Sequence, residues 1–326
     1  MTCARSDIVE TDKVGIYHCT SRCVRRAFLC GKDPYTGKSF EHRRKWIRQR
    51  LCFLVGIFGI EVMAYAIMSD HLHSLLRIRP DLVRKWSDQE VARRWLLLFP
   101  RPRMEGEPET PTQDEIDAIA SLPKLVKLYR ERLSSISWFN RCLKENIARR
   151  ANEEDGCTGH FWEGRFKSPR VYDVAGILAC GVYVDLNPVR AGMAKTPEQS
   201  DHTSVQDRIF EYQGSAPARH KGWPKIPLVS IPEMTENRVT LPEYIKLVDE
   251  TGRLLVSGKA SISPELAPIL ERLQISSEHW IETTKNLGRM FRRVIGPVAQ
   301  LEKAAKRAQK CWFQGMSSAR LAFASN

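Results

Sequence analysis

Alternating and helical spacings of apolar residues divide the first two thirds of the chain into short strands and amphipathic helices. Residues 14–20 read as a first strand, followed by a stretch that carries Arg22, Arg25, Arg26 and Lys32. Residues 41–58 form a helical pattern with Trp46, Ile47, Leu51 and Leu54 on one side. The other side holds His42, Arg43, Arg44, Arg48 and Arg50, a basic face that is either solvated or in contact with phosphate. Residues 61–67 and 71–78 then make two strands joined by Met68-Ser69-Asp70. Strand, helix, strand, strand is the first half of a ferredoxin-like split unit, so the expected class is α+β, an antiparallel sheet covered by helices.

Further along, residues 81–99 predict another helix. An exposed loop spans residue 100 to about residue 123, its first part rich in Pro and Glu without an apolar period. Residues 125–150 read as a long helix that buries Leu125, Leu128, Leu133, Ile136, Phe139, Leu143 and Ile147. After a break at 151–159, residues 160–168 suit a strand with Arg165 and Lys167 on one face. Asp173 can cap a helix over 174–187, which Pro188 stops. Leu178, Val182 and Leu186 should face its core side. Tyr183 and Asn187 lie about 100° around the axis from that stripe. Gly176, Ala179 and Cys180 on that side are small and leave room for a substrate beside the tyrosine ring. Residues 204–212 predict one more helix, and 214–242 form a proline-rich linker or wrapping segment. Beyond it Thr240 and Glu243 have capping-box spacing, Ser263-Pro264 has the form of a helix start, and Ser276 or Ser277 can cap a third helix. The expected organisation is a domain over 1–213, a linker over 214–242 and a basic helical C-terminal extension over 243–326.

Charge adds a partner. Lys and Arg number 51 against 38 Asp and Glu, a formal +13 that favours a polyanionic partner, either nucleic acid or an acidic membrane surface. No apolar run approaches the ~18 residues that span a bilayer, and the first residues lack the apolar core of a signal peptide, so a cytoplasmic protein without a membrane partner is expected. Nine cysteines without a Cys-x-x-Cys pair suggest reduced thiols, not a disulfide framework. From residue 285 to 326, nine basic residues face one acidic residue, Glu302. Arg289, Arg292, Arg293, Lys303, Lys306, Arg307 and Lys310 therefore make either a charged helix surface or a DNA contact, while Trp280 and Trp312 read as core.

The candidate chemistry starts at His71-Leu72-His73. On a strand these two imidazoles point the same way, an arrangement that can hold a divalent metal; the plainer alternative is two histidines satisfied by neighbouring carbonyls. His18 could approach them if the first strand neighbours 71–78, and is otherwise a core or DNA-facing histidine. Tyr183 alone is most simply a ring packed on the sheet. Tyr17, Tyr65 and Tyr172 read as structural.

Four stretches taken together, Tyr17-His18-Cys19-Thr20-Ser21-Arg22, Met68-Ser69-Asp70-His71-Leu72-His73, 161–168 (Phe-Trp-Glu-Gly-Arg-Phe-Lys-Ser) and 183–192 (Tyr-Val-Asp-Leu-Asn-Pro-Val-Arg-Ala-Gly), resemble the landmarks of the single-strand tyrosine transposases, and among them the REP-associated tyrosine transposases. The resemblance runs from about residue 14 to about residue 193. It implies a ferredoxin-like sheet, a divalent metal, Mg²⁺ or Mn²⁺, on His71 and His73, a Tyr183 nucleophile and Asn187 as a third ligand. It also implies single-stranded or hairpin DNA as partner. Among the residues themselves, Arg165 and Lys167 could grip its backbone or line a solvated strand face, Arg190 could clamp phosphate or pair with a carboxylate, and Arg292 and Arg293 belong to the C-terminal cluster whose one-sided charge favours DNA contact; the active form is left as either a monomer or a homodimer. One departure is Asp70, where such enzymes usually carry Asn. Its carboxylate could support a metal-holding imidazole or repel phosphate. The implied reaction is phosphodiester cleavage through a phosphotyrosine intermediate that leaves a free 3′-OH. The rivals are a DNA- or RNA-binding protein that keeps the fold without cleaving, and a water-using phosphodiesterase in which Tyr183 is idle.

Overall fold

The computed structural model describes residues 9–24, 29–33, 36–257 and 263–323, with the exception of the Arg219 side chain. Arg25 and Arg26 of the basic stretch lie outside these residues. Among the described residues, five strands form one sheet in the order β2-β3-β1-β4-β5: β1 (Gly15–Arg22), β2 (Ile60–Ile67), β3 (His71–Ile78), β4 (Arg170–Val171) and β5 (Val294–Ile295). Helix α1 (His42–Ile57) connects β1 to β2. Between β3 and β4 run α2 (Pro80–Val83), α3 (Asp88–Leu98), α4 (Gln113–Ala120), α5 (Pro123–Leu133) and α6 (Ile136–Glu154). After β4 come α7 (Asp173–Asp185), α8 (Asn187–Arg190), α9 (Ser204–Gln213), α10 (Ile231–Met234), α11 (Leu241–Ser257), α12 (Ala267–Glu271) and α13 (Trp280–Met290). Past β5, α14 (Val298–Arg307) and α15 (Met316–Ala322) complete the chain.

The α+β class stands, and the sheet departs from a ferredoxin-like one in two respects. β4 and β5 run parallel, so the sheet is mixed. Its helices also lie on both faces, where a ferredoxin-like unit keeps them on one. The cause is visible in β2, where all residues except Glu61 are buried, so both of its faces need an apolar cover. A bulge between Val62 and Ala64 shifts the strand's alternation. Ile60, Val62, Tyr65 and Ile67 therefore face the core built with α1 and α6, whereas Met63, Ala64 and Ala66 face the core built with α7.

Local chemistry explains where the helical expectations broke. The long helix over 125–150 divides at Ser134-Ser135, because the Ser135 hydroxyl accepts from the Trp138 amide and starts α6, while Leu128 is exposed on α5. Thr112 and Glu115 form a capping box, so the loop ends there and α4 begins at Gln113. Residues 160–168 are not a regular strand. Thr20 bridges Lys167 and Cys23 bridges Trp162, so a longer stretch spans a shorter one and Glu163-Gly164-Arg165 bulges outward. The 214–242 segment wraps: Val229 donates to the Val62 carbonyl, and Val229, Ile231, Met234 and Val239 enter the α7 core. Residues from 243 onward share that core, α13 packs on α7, and β5 joins the sheet. All the cysteines among the described residues are free thiols. Among the described residues no helix is long and apolar enough to cross a membrane.

Candidate active site

The two-residue tip Ser69-Asp70, closed by the Met68 amide donating to the His71 carbonyl, sets the register of β3. In that register His71, His73, Leu75 and Arg77 share one face, and β1 places Arg22 opposite His71, Thr20 opposite His73 and His18 opposite Leu75. A polar row therefore lies across two central strands, on the face that α7 covers.

His73 is buried, and its Nδ1 lies 2.8 Å from Nε2 of His18 and 3.2 Å from Oγ1 of Thr20. The rings of His18 and His73 are stacked at 5.0 Å, while His71 meets His73 edge-on at 4.8 Å. Burial, then the nearby Arg190 and His71, pushes His18 down to about 4. Burial, followed by His18, His71 and Arg190, holds His73 well below the usual imidazole range. Both are thus neutral at pH 7, and in the bond between them one ring donates while the other accepts. Asp70 accepts from Nδ1 of His71 at 2.5 Å; this hydrogen bond keeps its carboxyl below the usual range, and Arg22 lies 3.5 Å away.

Helix α7 is apolar nearly all round, and the sheet and the C-terminal helices bury it on every side, consistent with that composition. Asp173, at φ 54°, caps it by accepting from the Gly176 amide at 2.8 Å. Leu178, Val182 and Leu186 are in the core, as their spacing implies. The small residues do not leave a substrate space: Ala179 and Cys180 are fully buried, and a Cβ on Gly176 would lie 3.2 Å from the Ile295 carbonyl of β5. Half-buried Tyr183 meets both imidazoles edge-on, at 5.6 Å from His18 and 5.8 Å from His73. The helix breaks at Leu186, so Asn187 opens α8. The Asn187 amide donates to the Tyr183 carbonyl at 3.0 Å and its oxygen accepts from Arg190 at 2.8 Å, so that oxygen is already engaged.

Arg190 sits with its guanidinium carbon 3.9 Å from the Tyr183 ring centroid and donates to the Thr284 and Lys285 carbonyls of α13 at 3.1 and 3.0 Å. The same helix supplies Gly288, where a Cβ would lie 2.8 Å from the Tyr183 hydroxyl. Lys167 and Arg165 are exposed beside β1, with Lys167 bridged to Thr20. Arg292 is exposed and Arg293 half-buried at the turn into β5, where the Arg293 carbonyl accepts from the Arg170 amide and its guanidinium lies over Phe313. Tyr183, His71, His73, Asp70, Asn187 and Arg190 are thus drawn into one neighbourhood, with Lys167 along the adjacent edge. His18, Thr20 and Gly288 complete it. Alternation of His18 and Thr20 on β1 was the sequence signal for the first two; nothing local marks Gly288.

Among the described residues no group of three or more His, Cys, Asp and Glu side chains is placed to hold a metal ion. The two strand imidazoles fit a smaller task. They are side by side, His73 is neutral, and Asp70 occupies Nδ1 of His71, which leaves Nε2 as that ring's remaining nitrogen. That donor set suits a cation whose remaining ligands are oxygens of substrate and water.

No family model matches the chain, and no curated protein matches it. A solved structure of a REP-associated tyrosine transposase bound to a REP hairpin overlaps it with a TM-score of 0.36 and 13% sequence identity, covering 62% of this chain and 82% of that one.

Proposed function

We propose that this protein is a metal-dependent tyrosine strand transferase, cleaving and rejoining single-stranded or hairpin DNA. The observation that carries this reading is Tyr183 standing edge-on to His18 and His73, on the face of the sheet where the His71 and His73 imidazoles project. A divalent cation on His71 and His73, Mg²⁺ or Mn²⁺, would neutralise a non-bridging phosphate oxygen of a phosphodiester that otherwise repels a nucleophile. Asp70 fixes the ring of His71, and His18 with Thr20 fixes that of His73. Tyr183 supplies the attacking oxygen: the Tyr O–P bond forms, the P–O3′ bond breaks, the phenol loses its proton and the 3′ oxygen gains one. A free tyrosine ionises near pH 10, so the proton must be drawn away as attack proceeds. Arg190 keeps a positive charge on the ring face meanwhile. The phosphotyrosine conserves the bond energy, so a second strand end rejoins without ATP. Lys167 and Arg165, exposed at the edge, hold the substrate backbone.

A second reading, a nucleic-acid-binding protein that retains the fold without cleaving, is favoured by Asn187, whose oxygen is engaged by Arg190. One experiment separates the two. End-labelled hairpin DNA is incubated with Mg²⁺ or Mn²⁺ and the wild type, Tyr183→Phe or His71→Ala, then run on a denaturing gel. Label bound to wild type and lost in both variants is the expected result. Cleavage unchanged by Tyr183→Phe would instead identify a water-using phosphodiesterase, and salt-sensitive binding with neither cleavage nor adduct would identify the binder.

A further inference from the structure

Trp312 is 67% exposed, whereas every other tryptophan of the chain is buried or half-buried. Its expected place in the core is therefore wrong. An indole left in water forgoes a large apolar burial, so a rigidly presented one suits a binding surface. The ring lines a cavity of about 440 Å³ between the end of α13 and the start of α15, shared with Arg289, Met290, Gln314, Met316 and Ser317. A volume of this order suits a small planar ligand. The wall is built, not loose. Phe313, next to Trp312, is buried, and Gln314 donates to the Arg289 carbonyl at 3.3 Å. Gly315, at φ 113°, presses against the end of α13 so closely that a Cβ would lie 2.7 Å from the Phe291 ring and 3.0 Å from the Met290 carbonyl.

Two further observations identify the occupant. Arg289, Arg292 and Lys310 pair with no carboxylate among the described residues, and Glu302 is the only acidic residue from 285 to 326, so the surface is complementary to a polyanion. The cavity also lies near the candidate active site, because Arg289 directly follows Gly288, the residue against the Tyr183 hydroxyl, on the same helix. A flat aromatic face, a thioether, an amide and a hydroxyl beside unpaired cations are the chemistry that holds an unpaired base on a charged backbone. We infer that this cavity takes an unpaired nucleobase of single-stranded DNA, stacked on Trp312, within a few nucleotides of the phosphate that Tyr183 attacks. The inference rests on the proposed reading of that site for its substrate and adds the place where one base of it is read.

The test uses the full-length protein carrying Tyr183→Phe, so that binding is followed without chemistry. A short oligothymidylate is titrated while tryptophan emission and affinity are recorded, for the parent and for Trp312→Ala, Trp312→Phe and Arg289→Ala. The expected result is quenching that Trp312→Ala removes, with affinity about tenfold weaker, and near-parental affinity in Trp312→Phe. Parental affinity in Trp312→Ala overturns the inference, as does emission that shifts with protein concentration and not with DNA, which would mark a self-association surface. The adduct assay on the Tyr183-containing protein reads the catalytic proposal separately. A normal adduct with Trp312-independent binding removes only the base site, whereas Trp312-dependent binding without adduct removes only the catalytic reading.

Discussion

The two faces of the sheet both bury polar groups, and they do so in opposite ways. On the α1 face three arginines are almost fully enclosed, Arg43 to 1% exposure, and each meets a carboxylate: Arg43 meets Glu154 at 2.7 Å and Asp155 at 2.5 Å, Arg44 meets Glu41 at 2.6 Å, and Arg48 meets Asp207 at 3.1 Å. Arg44 also donates to the Ile67 carbonyl and Arg48 to the Tyr65 hydroxyl. These residues are neither a solvated basic face nor a phosphate contact. On the α7 face the buried histidines His18 and His73 meet each other, and they avoid the cost of burial by giving up charge instead of pairing it. A buried charge with its counter-charge closes its own chemistry. A buried neutral donor keeps a lone pair to offer. The number of basic residues in the sequence does not distinguish these two cases, whereas the partner of each group does.

The contrast can be broken at its strongest point with His73→Ala. Protein-linked label per folded molecule should fall at least about 10³-fold, while loss of the buried ring and its bonds to His18 and Thr20 costs about 2–4 kcal/mol of stability to denaturant. Adduct surviving above a tenth of wild type would sink the metal-site reading. On the other face Arg43→Ala should cost roughly 2–3 kcal/mol of stability by leaving Glu154 and Asp155 only the more exposed Lys38 and His42 beside them. Adduct per folded molecule should stay at the wild-type level, and a selective loss of activity would mean that the α1 face takes part in function.

Gly288→Ala sharpens the comparison from a third side. Its methyl group meets the Tyr183 hydroxyl, so adduct formation should slow by about 10- to 100-fold through displacement of the nucleophile, with stability altered by no more than about 1–2 kcal/mol. Unchanged kinetics would show that α13 does not position the tyrosine.

Acid stability tests the cost of neutral burial. His202 is pushed down to about 3, chiefly by burial and then by Arg44 and Arg48. An unfolded histidine titrates near pH 6.5, so between about 3 and 6.5 the unfolded chain binds more protons than the folded one. Stability from this group is therefore present above about pH 6.5 and is lost as pH falls toward 3, with a slope of about tenfold in the unfolding constant per pH unit. Chemical denaturation at several pH values in wild type and His202→Phe should show one proton less of slope in the variant; identical slopes would contradict the assignment. The smallest effect is expected of Asp70→Asn, about tenfold weaker Mn²⁺ binding by titration, because the amide oxygen still accepts from His71. A gain in cleavage would show instead that the Asp70 carboxylate repels the substrate phosphate.

Much of the site was legible because it depends on local rules. Alternation put His71 and His73 on one face, Asp173 and the Thr240 capping box marked helix starts, and the spacing of Leu178, Val182 and Leu186 found the buried side of α7. Each follows from the sterics and hydrogen bonding of residues a few positions apart, which a sequence contains. The bulge near Met63 was not legible, because it answers the demand of β2 for cover on both faces. The small side of α7 was also misread, because small residues that could admit a ligand serve equally well to admit β5.

By itself, then, the sequence determined the strand and helix types of the first half, the shared face of the paired histidines, and the excess of positive charge. The tertiary structure alone decided that His18 stacks on His73, that Arg43 and Arg48 close on acids, that α13 holds Arg190 and sets Gly288 against Tyr183, and that Trp312 stands in solvent. The physical reason is one of range. Conformational preferences and alternation act between neighbours in the chain, whereas the partner of a buried charge, a ring or a glycine is set by which faces meet once distant segments pack, and those meetings join residues 55 positions apart at His18 and His73 and 111 apart at Arg43 and Glu154.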